Sequence, residues 1–344
     1  MRDFWIGTYT ADAGSGLGIY RAVQEKDGAL CVTALTARQE SPSYLAVHPY
    51  RPVLYAVREG RVGGVFCYEL DRGHARLASS TRLPEGACHV AVAPEGDVLV
   101  ISSYDSGHIS SVALDGGGLL SGPAAVVRMD GSGPRADRQE GPHPHAALIT
   151  PAGAVFSTDL GADKVRIHNL ANGGRTLQPV CEVDMPPGCG PRHLVRHPNG
   201  LIYVLAELTH TIIALRPFRA ASGLDIVAVF PATGVPTAAE SLCSAIKISP
   251  DGQHIYTATR GADVISTHRV SERDGSLRLV SDVSSGGAWP RDFWTDGTWL
   301  YAANEKSHTL ASFRINPING IPSQFAETAV PSPVCIVATR AGSD

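Results

Sequence analysis

A short phrase returns along this chain about every 45 to 57 residues: an apolar segment, a turn marked by Pro or Gly, and a second apolar segment ending near a charged or polar side chain. The copies read SPSYLAVHPYRPVLYAVRE from Ser41, GACHVAVAPEGDVLVISSY from Gly86, HPHAALITPAGAVFSTDL from His143, GPRHLVRHPNGLIYVLAE from Gly190, LCSAIKISPDGQHIYTATR from Leu242 and WPRDFWTDGTWLYAANE from Trp289. A unit of this size cannot bury its own hydrophobic face, whereas stacked neighbours can, so the period restricts the chain to a repeat architecture. It also stacks equivalent positions of successive copies into columns.

Within each copy the apolar segments, such as LYAV, IYVLAE and IYTATR, are rich in β-branched or aromatic residues and too short for a typical helix. The connectors PEG, PNG and PDG carry hairpin-turn chemistry. Further strand candidates follow, among them GGVFCYEL, HISSVALD, KVRIHNL, HTIIALRPF, DVISTHRV and HTLASFRI, often with one more short strand such as LRLVSDV. Four strands per repeat make the sheet of a propeller blade. A seventh copy is split between the termini: SPVCIVATR matches a first strand, FWIGTYT and GIYRAVQ a second and a third. The expected fold is all-β, a seven-bladed β-propeller with four-stranded blades. The N- and C-terminal strands share one blade and close the ring, making one domain of residues 1–344 and hiding the sheet edges. A β-sandwich would give no reason for the period.

The 36 Gly and 24 Pro suit many short strands joined by tight turns. A net charge of −4 argues against a broad electrostatic grip on nucleic acid and leaves small-molecule chemistry as the expectation. No apolar run approaches the roughly 18 residues of a membrane span, so no membrane partner is expected. The opening MRDFWIGTYT lacks the apolar stretch of about 7–15 residues of a secretory signal. Seven Cys without a CxxC pair read as reduced thiols in a cytoplasmic protein. The longest insertion, between the copies at Gly86 and His143, contains GGGLLSGP and MDGSGPRADRQEGPHPH and reads as a long surface loop serving as a lid or binding loop.

Antiparallel neighbours put the start of the first strand and the end of the second on one face, and in a propeller the first strand lines the central channel. One column holds Ser43, Cys88, His145, Arg192, Ser244, Arg291 and Val334; the other holds Tyr9, Glu59, Tyr104, Leu160, Glu207, Arg260 and Glu305. Both ring one mouth of the channel. Charged groups are costly to desolvate unless paired, so their recurrence at inward positions suggests an anion pocket with an acid–base group. Arg192, Arg260 and Arg291 suit a carboxylate or phosphate, which guanidinium binds bidentately. His145 and Glu207 are the candidates for proton transfer. Glu207 paired with Arg192 or Arg260 merely to tie blades together is the alternative reading.

His143, two residues before His145, falls in the incoming connector. It joins Arg291, Glu59, Tyr104, Glu305 and Tyr9 as a substrate-binding candidate. His89 and His193 sit one position later than the column, where alternation turns a side chain aside toward hydrogen bonds between blades. His48 and His197 precede turn prolines and read as structural, and Asp159 in STDLGADKV reads as a turn residue. There is no GxSxG elbow and no HExxH zinc helix. GSGLG near Gly14 opens no helix and reads as the hairpin inside the split blade. Without a nucleophile triad, a bound water or a substrate group must supply the attacking atom.

The combination GTYT, SPSYLAVHP, PHPHAA, DLGADKV, GPRHLVRHP, SPDG with TRGAD, and PRDF followed by ANE resembles the bacterial lactonases of the 6-phosphogluconolactonase type, a family that also includes the fungal 3-carboxy-cis,cis-muconate lactonizing enzyme. The resemblance covers nearly the whole chain and implies a seven-bladed propeller acting on lactones; no cofactor or metal is expected, since the two columns offer carboxylates without the oxygen-rich cluster that calcium takes. It places the family's proposed catalytic His on His145, its two Arg on Arg192 and Arg260, and its Glu on Glu207. One departure is ISSYDSG, which puts Ser103 where such proteins often carry Asn. The leading expectation is hydrolysis of a sugar-acid lactone, 6-phosphogluconolactone or an aldonic or aldaric relative. Arg192 and Arg260 would bind the anionic end and polarise the ester, and His145 or Glu207 would take a proton from water. The alternatives are a cycloisomerase on a muconate-like dicarboxylate and a non-catalytic propeller that binds a protein.

Overall fold

The computed structural model describes residues 2–219 and 222–339. Their strands form seven four-stranded antiparallel sheets. Blade 1 runs Pro333–Ala338, Asp3–Thr8, Gly18–Gln24 and Leu30–Arg38 from the inside outward, so the last strand of the chain pairs with the first and closes the ring. Blades 2 to 7 start at the axis with Leu45–Val47, Ala87–Val92, Pro144–Ile149, Pro191–Arg196, Leu242–Ile248 and Pro290–Thr295. Each then winds outward through three more strands in chain order. The expected propeller, with its shared blade, is what the chain forms. No helix of the described residues is long and apolar enough to cross a membrane.

Alternation on the strands gives each blade two apolar faces, and these meet in seven core clusters, one between each pair of neighbouring blades. The cluster that joins blade 7 to blade 1 sets Tyr301, Ala303 and Leu310 against Phe4, Ile6 and Ile336, so the seam of the ring is packed like any other interface. Polar latches add to this packing. The hydroxyls of Tyr55, Tyr203, Tyr256 and Tyr301 donate to the carbonyls of Gly118, Gly275, Gly320 and Gly28 in the following blade, at 2.6, 2.6, 2.9 and 2.8 Å. His48 and His197 do the same at the turns, reaching the Gly96 and Gly252 carbonyls at 3.0 and 2.7 Å. Gly96 and Gly252 have φ of +74° and +71°, and a Cβ on Gly96 would strike the His48 ring, so glycine is required there on both counts.

Part of the long insertion is not a loop. GGGLLSGP forms the turn into the outer strand of blade 3, Ala125–Arg128, and only 129–143 runs free of strands. That stretch is anchored by Gln139, which is fully buried. Its Nε2 donates to the Leu160 carbonyl at 2.9 Å, and its Oε1 accepts from the Arg135 N–H at 3.2 Å.

One irregularity recurs at the inner strands. Pairing steps from Ala87↔Ser103 to His89↔Ser102, from Pro144↔Asp159 to Ala146↔Thr158, from Pro191↔Ala206 to His193↔Leu205, and from Pro290↔Asn304 to Asp292↔Ala303. The skipped residues are Cys88, His145, Arg192 and Arg291. Blades 1 and 6 slip in the same way around Val334 and Ser244. Six of the seven first-column positions thus sit at β-bulges, Ser43 preceding the inner strand of blade 2. A bulged residue leaves the ladder, and its side chain is re-aimed.

Candidate active site at one mouth of the channel

Glu207 follows the second strand of blade 5, where its N–H bonds the Gly190 carbonyl at 2.8 Å. Its carboxylate is the hub of the mouth. Oε2 accepts from Arg192 Nε at 2.6 Å and pairs with the Arg260 guanidinium at 2.8 Å, while Oε1 accepts from Arg138 at 2.7 Å. Burial alone would raise the Glu207 pKa, but Arg260 and Arg192, followed by His145 and Arg138, overcome it and hold the carboxyl well below the usual range. Arg192 also donates to the Ser244 carbonyl, and Arg260 to the Cys243 carbonyl at 3.0 Å. Burial pushes Arg260 down to about 10, still a cation at neutral pH. The guanidinium lies 5.6 Å from the centroid of Trp289, whose ring also carries Lys306.

His145 projects from its bulge in blade 4 and is 7% exposed. Its Nδ1 is buried with no hydrogen-bond partner among the described residues. Its ring meets Tyr104 edge-on at 5.6 Å and His193 at 5.3 Å. Burial, and then the charge of Arg192, drive the imidazole pKa well below 6.5, so it is neutral at physiological pH.

On the other side of the mouth, the Tyr9 hydroxyl donates to both oxygens of Glu59 at 3.0 and 3.1 Å and accepts from Arg291. The Arg291 guanidinium lies 4.8 Å from the Tyr9 ring centroid. Glu305 acts electrostatically on both Tyr9 and Arg291, and its Oε2 is buried without a partner among the described residues. Tyr104 and His143 stack at 4.3 Å. Both imidazole nitrogens of His143 are engaged, by the Tyr104 carbonyl at 2.9 Å and by Glu140 at 3.0 Å, so its evident work is to hold Tyr104. Asp159 accepts from the N–H groups of His143 and Ala162 at 2.8 and 3.0 Å and from Arg166 at 3.2 Å, which makes it a turn residue.

All ten singled-out side chains therefore lie in two clusters, which act on each other electrostatically through Arg291 and Tyr9. His145, Arg192, Glu207 and Arg260 are in one, with His143 and Tyr104 beside it. Tyr9, Glu59, Arg291 and Glu305 form the other. The reading of His193 needs correction. Among the described residues its ring makes no hydrogen bond to another blade: Nε2 meets Arg192 NH1 of its own blade at 3.3 Å, and the ring lies 5.3 Å from His145 of blade 4 and 5.7 Å from His89 of blade 3. Alternation fails there because the bulge at Arg192 displaces the residue that follows it. His89 does accept from the Ala147 N–H of the next blade, at 3.4 Å, and its ring lies against that of Tyr44 at 4.3 Å. The other omission was Arg138. No repeat flags it, and the only signal was its place in a long loop of expected function. Among the described residues no group of three or more His, Cys, Asp or Glu is placed to hold a metal.

Residues 3–338 match the family model described as lactonase, 7-bladed beta-propeller. The 6-phosphogluconolactonase of Bacillus subtilis (strain 168) is 33% identical over 341 residues, covering 96% of this chain and 97% of that protein. Among solved structures, the periplasmic gluconolactonase of Pseudomonas aeruginosa superposes with a TM-score of 0.91 at 26% identity, over 98% of this chain and 99% of the other. A protein from Lactobacillus plantarum gives a TM-score of 0.92 at 26% identity, over 99% and 100%.

Proposed function

This chain belongs to the lactonase family of seven-bladed β-propellers, and from that premise we propose that it hydrolyses a sugar-acid lactone at the His145–Arg192–Glu207–Arg260 mouth. The observation that carries the reading is a neutral, partly unpartnered imidazole set beside guanidiniums already fixed in place by one carboxylate. A lactonase needs a proton acceptor for the attacking water and donors for the oxygen that becomes negative. His145 fits the first role: it is uncharged at working pH, and no hydrogen bond from the described residues engages either ring nitrogen, Nδ1 being the buried one. Arg192 and Arg260 fit the second. Each commits nitrogens to Glu207 and to a backbone carbonyl, and Arg192 NH2 and Arg260 NH1 have no hydrogen-bond partner among the described residues.

Water attacks the carbonyl carbon while its proton passes to His145. The tetrahedral intermediate places its negative oxygen on the guanidiniums, each good donor contributing roughly 3 kcal/mol. Collapse breaks the ring C–O bond, and the imidazolium returns the proton to the leaving alkoxide, which yields the open hydroxy acid. Glu207 is the poorer base, because three guanidiniums occupy its two oxygens; its role is to position them. A cytoplasmic setting belongs to the same reading and draws support from seven unpaired cysteines.

The test is acid release from a panel of aldonic, phosphorylated and aldaric lactones, run beside an ultraviolet assay with cis,cis-muconates. His145→Ala is expected to lower lactone turnover by roughly 10²–10⁴-fold. Full activity in that variant would overturn the assignment, and turnover of muconates alone would move the chemistry to cycloisomerisation.

A further inference from the structure

We propose that Arg138, on the loop between blades 3 and 4, recognises an oxyanion on the tail of the substrate, away from the reacting ester. This inference rests on the lactonase reading above and assigns the substrate class it takes. The mouth contains four guanidiniums near one another, and three of them are poorly placed for a bulky anionic tail. The side chains of Arg192 and Arg260 are 3% and 5% exposed and tied to Glu207 and to backbone carbonyls. Arg291 donates to Tyr9 and lies against its ring.

Arg138 differs in each respect. Its side chain is 27% exposed, and a single nitrogen, NH2, meets both Glu207 Oε1 at 2.7 Å and the Tyr104 hydroxyl at 3.4 Å. Nε and NH1 have no hydrogen-bond partner among the described residues. The loop's other cation, Arg135, is engaged by Asp137 at 3.2 Å and does not compete. The backbone beside Arg138 is fixed, since Gln139 is fully buried and hydrogen-bonded on both sides of its amide. A pre-placed guanidinium with open donors, held from behind by a carboxylate, is the arrangement that recognises phosphate or carboxylate. Glu207 then links the two ends of the substrate, because the same carboxylate holds Arg138 at the tail and Arg192 and Arg260 at the ester.

The experiment compares kcat/KM for 6-phosphoglucono-δ-lactone, a carboxylate-bearing aldaric lactone and uncharged glucono-δ-lactone in the native chain, Arg138→Gln and Arg138→Lys. The readout is the ratio of charged to uncharged substrate. In Arg138→Gln that ratio is expected to fall about 10- to 100-fold, mostly through KM, with Arg138→Lys recovering part of it. Loss confined to the phosphorylated or to the aldaric substrate identifies which oxyanion is read. A ratio unchanged by the substitution, or a native chain without preference for either charged lactone, overturns the proposal. Calorimetric titration with 6-phosphogluconate and glucarate provides an arm independent of turnover. If the native chain hydrolyses no lactone, the lactonase reading fails, while weaker binding of either acid by Arg138→Gln still supports the anion site and equal binding rejects it.

Discussion

Arg192 Nε and Glu207 Oε2 stand 2.6 Å apart, with both side chains 3% exposed, one on the inner strand of blade 5 and the other just past the end of the strand beside it. Arg192 comes from a bulge and Glu207 from the end of the neighbouring strand, so the pair exists because an extra residue turns one side chain toward the other. Removing one member of a buried pair leaves the partner uncompensated, which typically costs about 3–5 kcal/mol. Glu207 compensates three guanidiniums rather than one. Glu207→Ala is therefore expected to lose at least that much stability in urea unfolding and to lose lactone turnover as well. Glu207→Gln, which keeps an acceptor but not the charge, is expected to fall between. A variant as stable as the native chain would show that the mouth charges are solvated rather than paired.

Three imidazoles around the channel give stability a pH dependence of known sign. His89, His145 and His193 are all held below 6.5, first by burial and then by nearby cations, with His89 pushed down to about 3. Each stays neutral in the folded chain while its unfolded counterpart takes a proton as pH falls below about 6.5. The unfolded state thus binds more protons, and stability, fully present above that pH, is lost as pH falls toward the folded pKa. The slope is at most about 1.4 kcal/mol per pH unit for each imidazole. Urea unfolding at pH 7.5 and 5.5 measures it, and His89→Asn is expected to flatten the curve. Identical stabilities at the two pH values would count against neutral burial of these rings. The same shift places the acid limb of kcat/KM well below pH 6.5 if His145 is the base.

Much of this architecture is legible in the chain because it repeats. Turns such as PEG, PNG and PDG fix where each inner hairpin reverses, and counting from them groups His145, Arg192, Glu207 and Arg260, of which Glu207 pairs with both guanidiniums in the fold. The bulge is not legible, since it changes pairing without changing composition; simple alternation turns His193 aside, whereas in the fold its ring meets those of His145, His89 and Tyr44. Arg138 is hidden for the opposite reason. Its segment has no counterpart in the other blades, and it meets Glu207 across 69 positions of sequence. The tyrosine latches escaped as well, because each joins residues 63 to 273 positions apart.

Those latches make a stability prediction separate from the site. Tyr203 is fully buried and its hydroxyl reaches the Gly275 carbonyl of the next blade at 2.6 Å. Tyr203→Phe keeps the ring and leaves that carbonyl without its donor, which is expected to cost about 1–3 kcal/mol. Tyr301→Phe removes the bond to Gly28 across the ring closure and also the one its oxygen accepts from Gln24 at 2.7 Å, and is expected to cost about 1–3 kcal/mol for the Gly28 carbonyl plus a smaller amount for the half-buried Gln24. Denaturant midpoints for the two variants test whether the closing seam is held like the other interfaces. A much larger loss at Tyr301 would mark the seam as the weak joint of the ring.

The loop that carries Arg138 depends on Gln139, whose side chain is the only amide it sends into the core. Shortening it to alanine leaves the Leu160 carbonyl and the Arg135 N–H without their partners. The expected cost of the unmet buried carbonyl is about 1–3 kcal/mol, confined to local opening because the blade sheets on either side keep their own hydrogen bonds. Amide hydrogen exchange in 129–142 is expected to accelerate in Gln139→Ala while exchange in the inner strands does not change. With Arg138 no longer held over Glu207, KM for a charged lactone is expected to rise severalfold, and kcat, which depends on His145, to move far less. Exchange rates in the loop equal to those of the native chain would mean that contacts other than Gln139 hold Arg138 at the mouth.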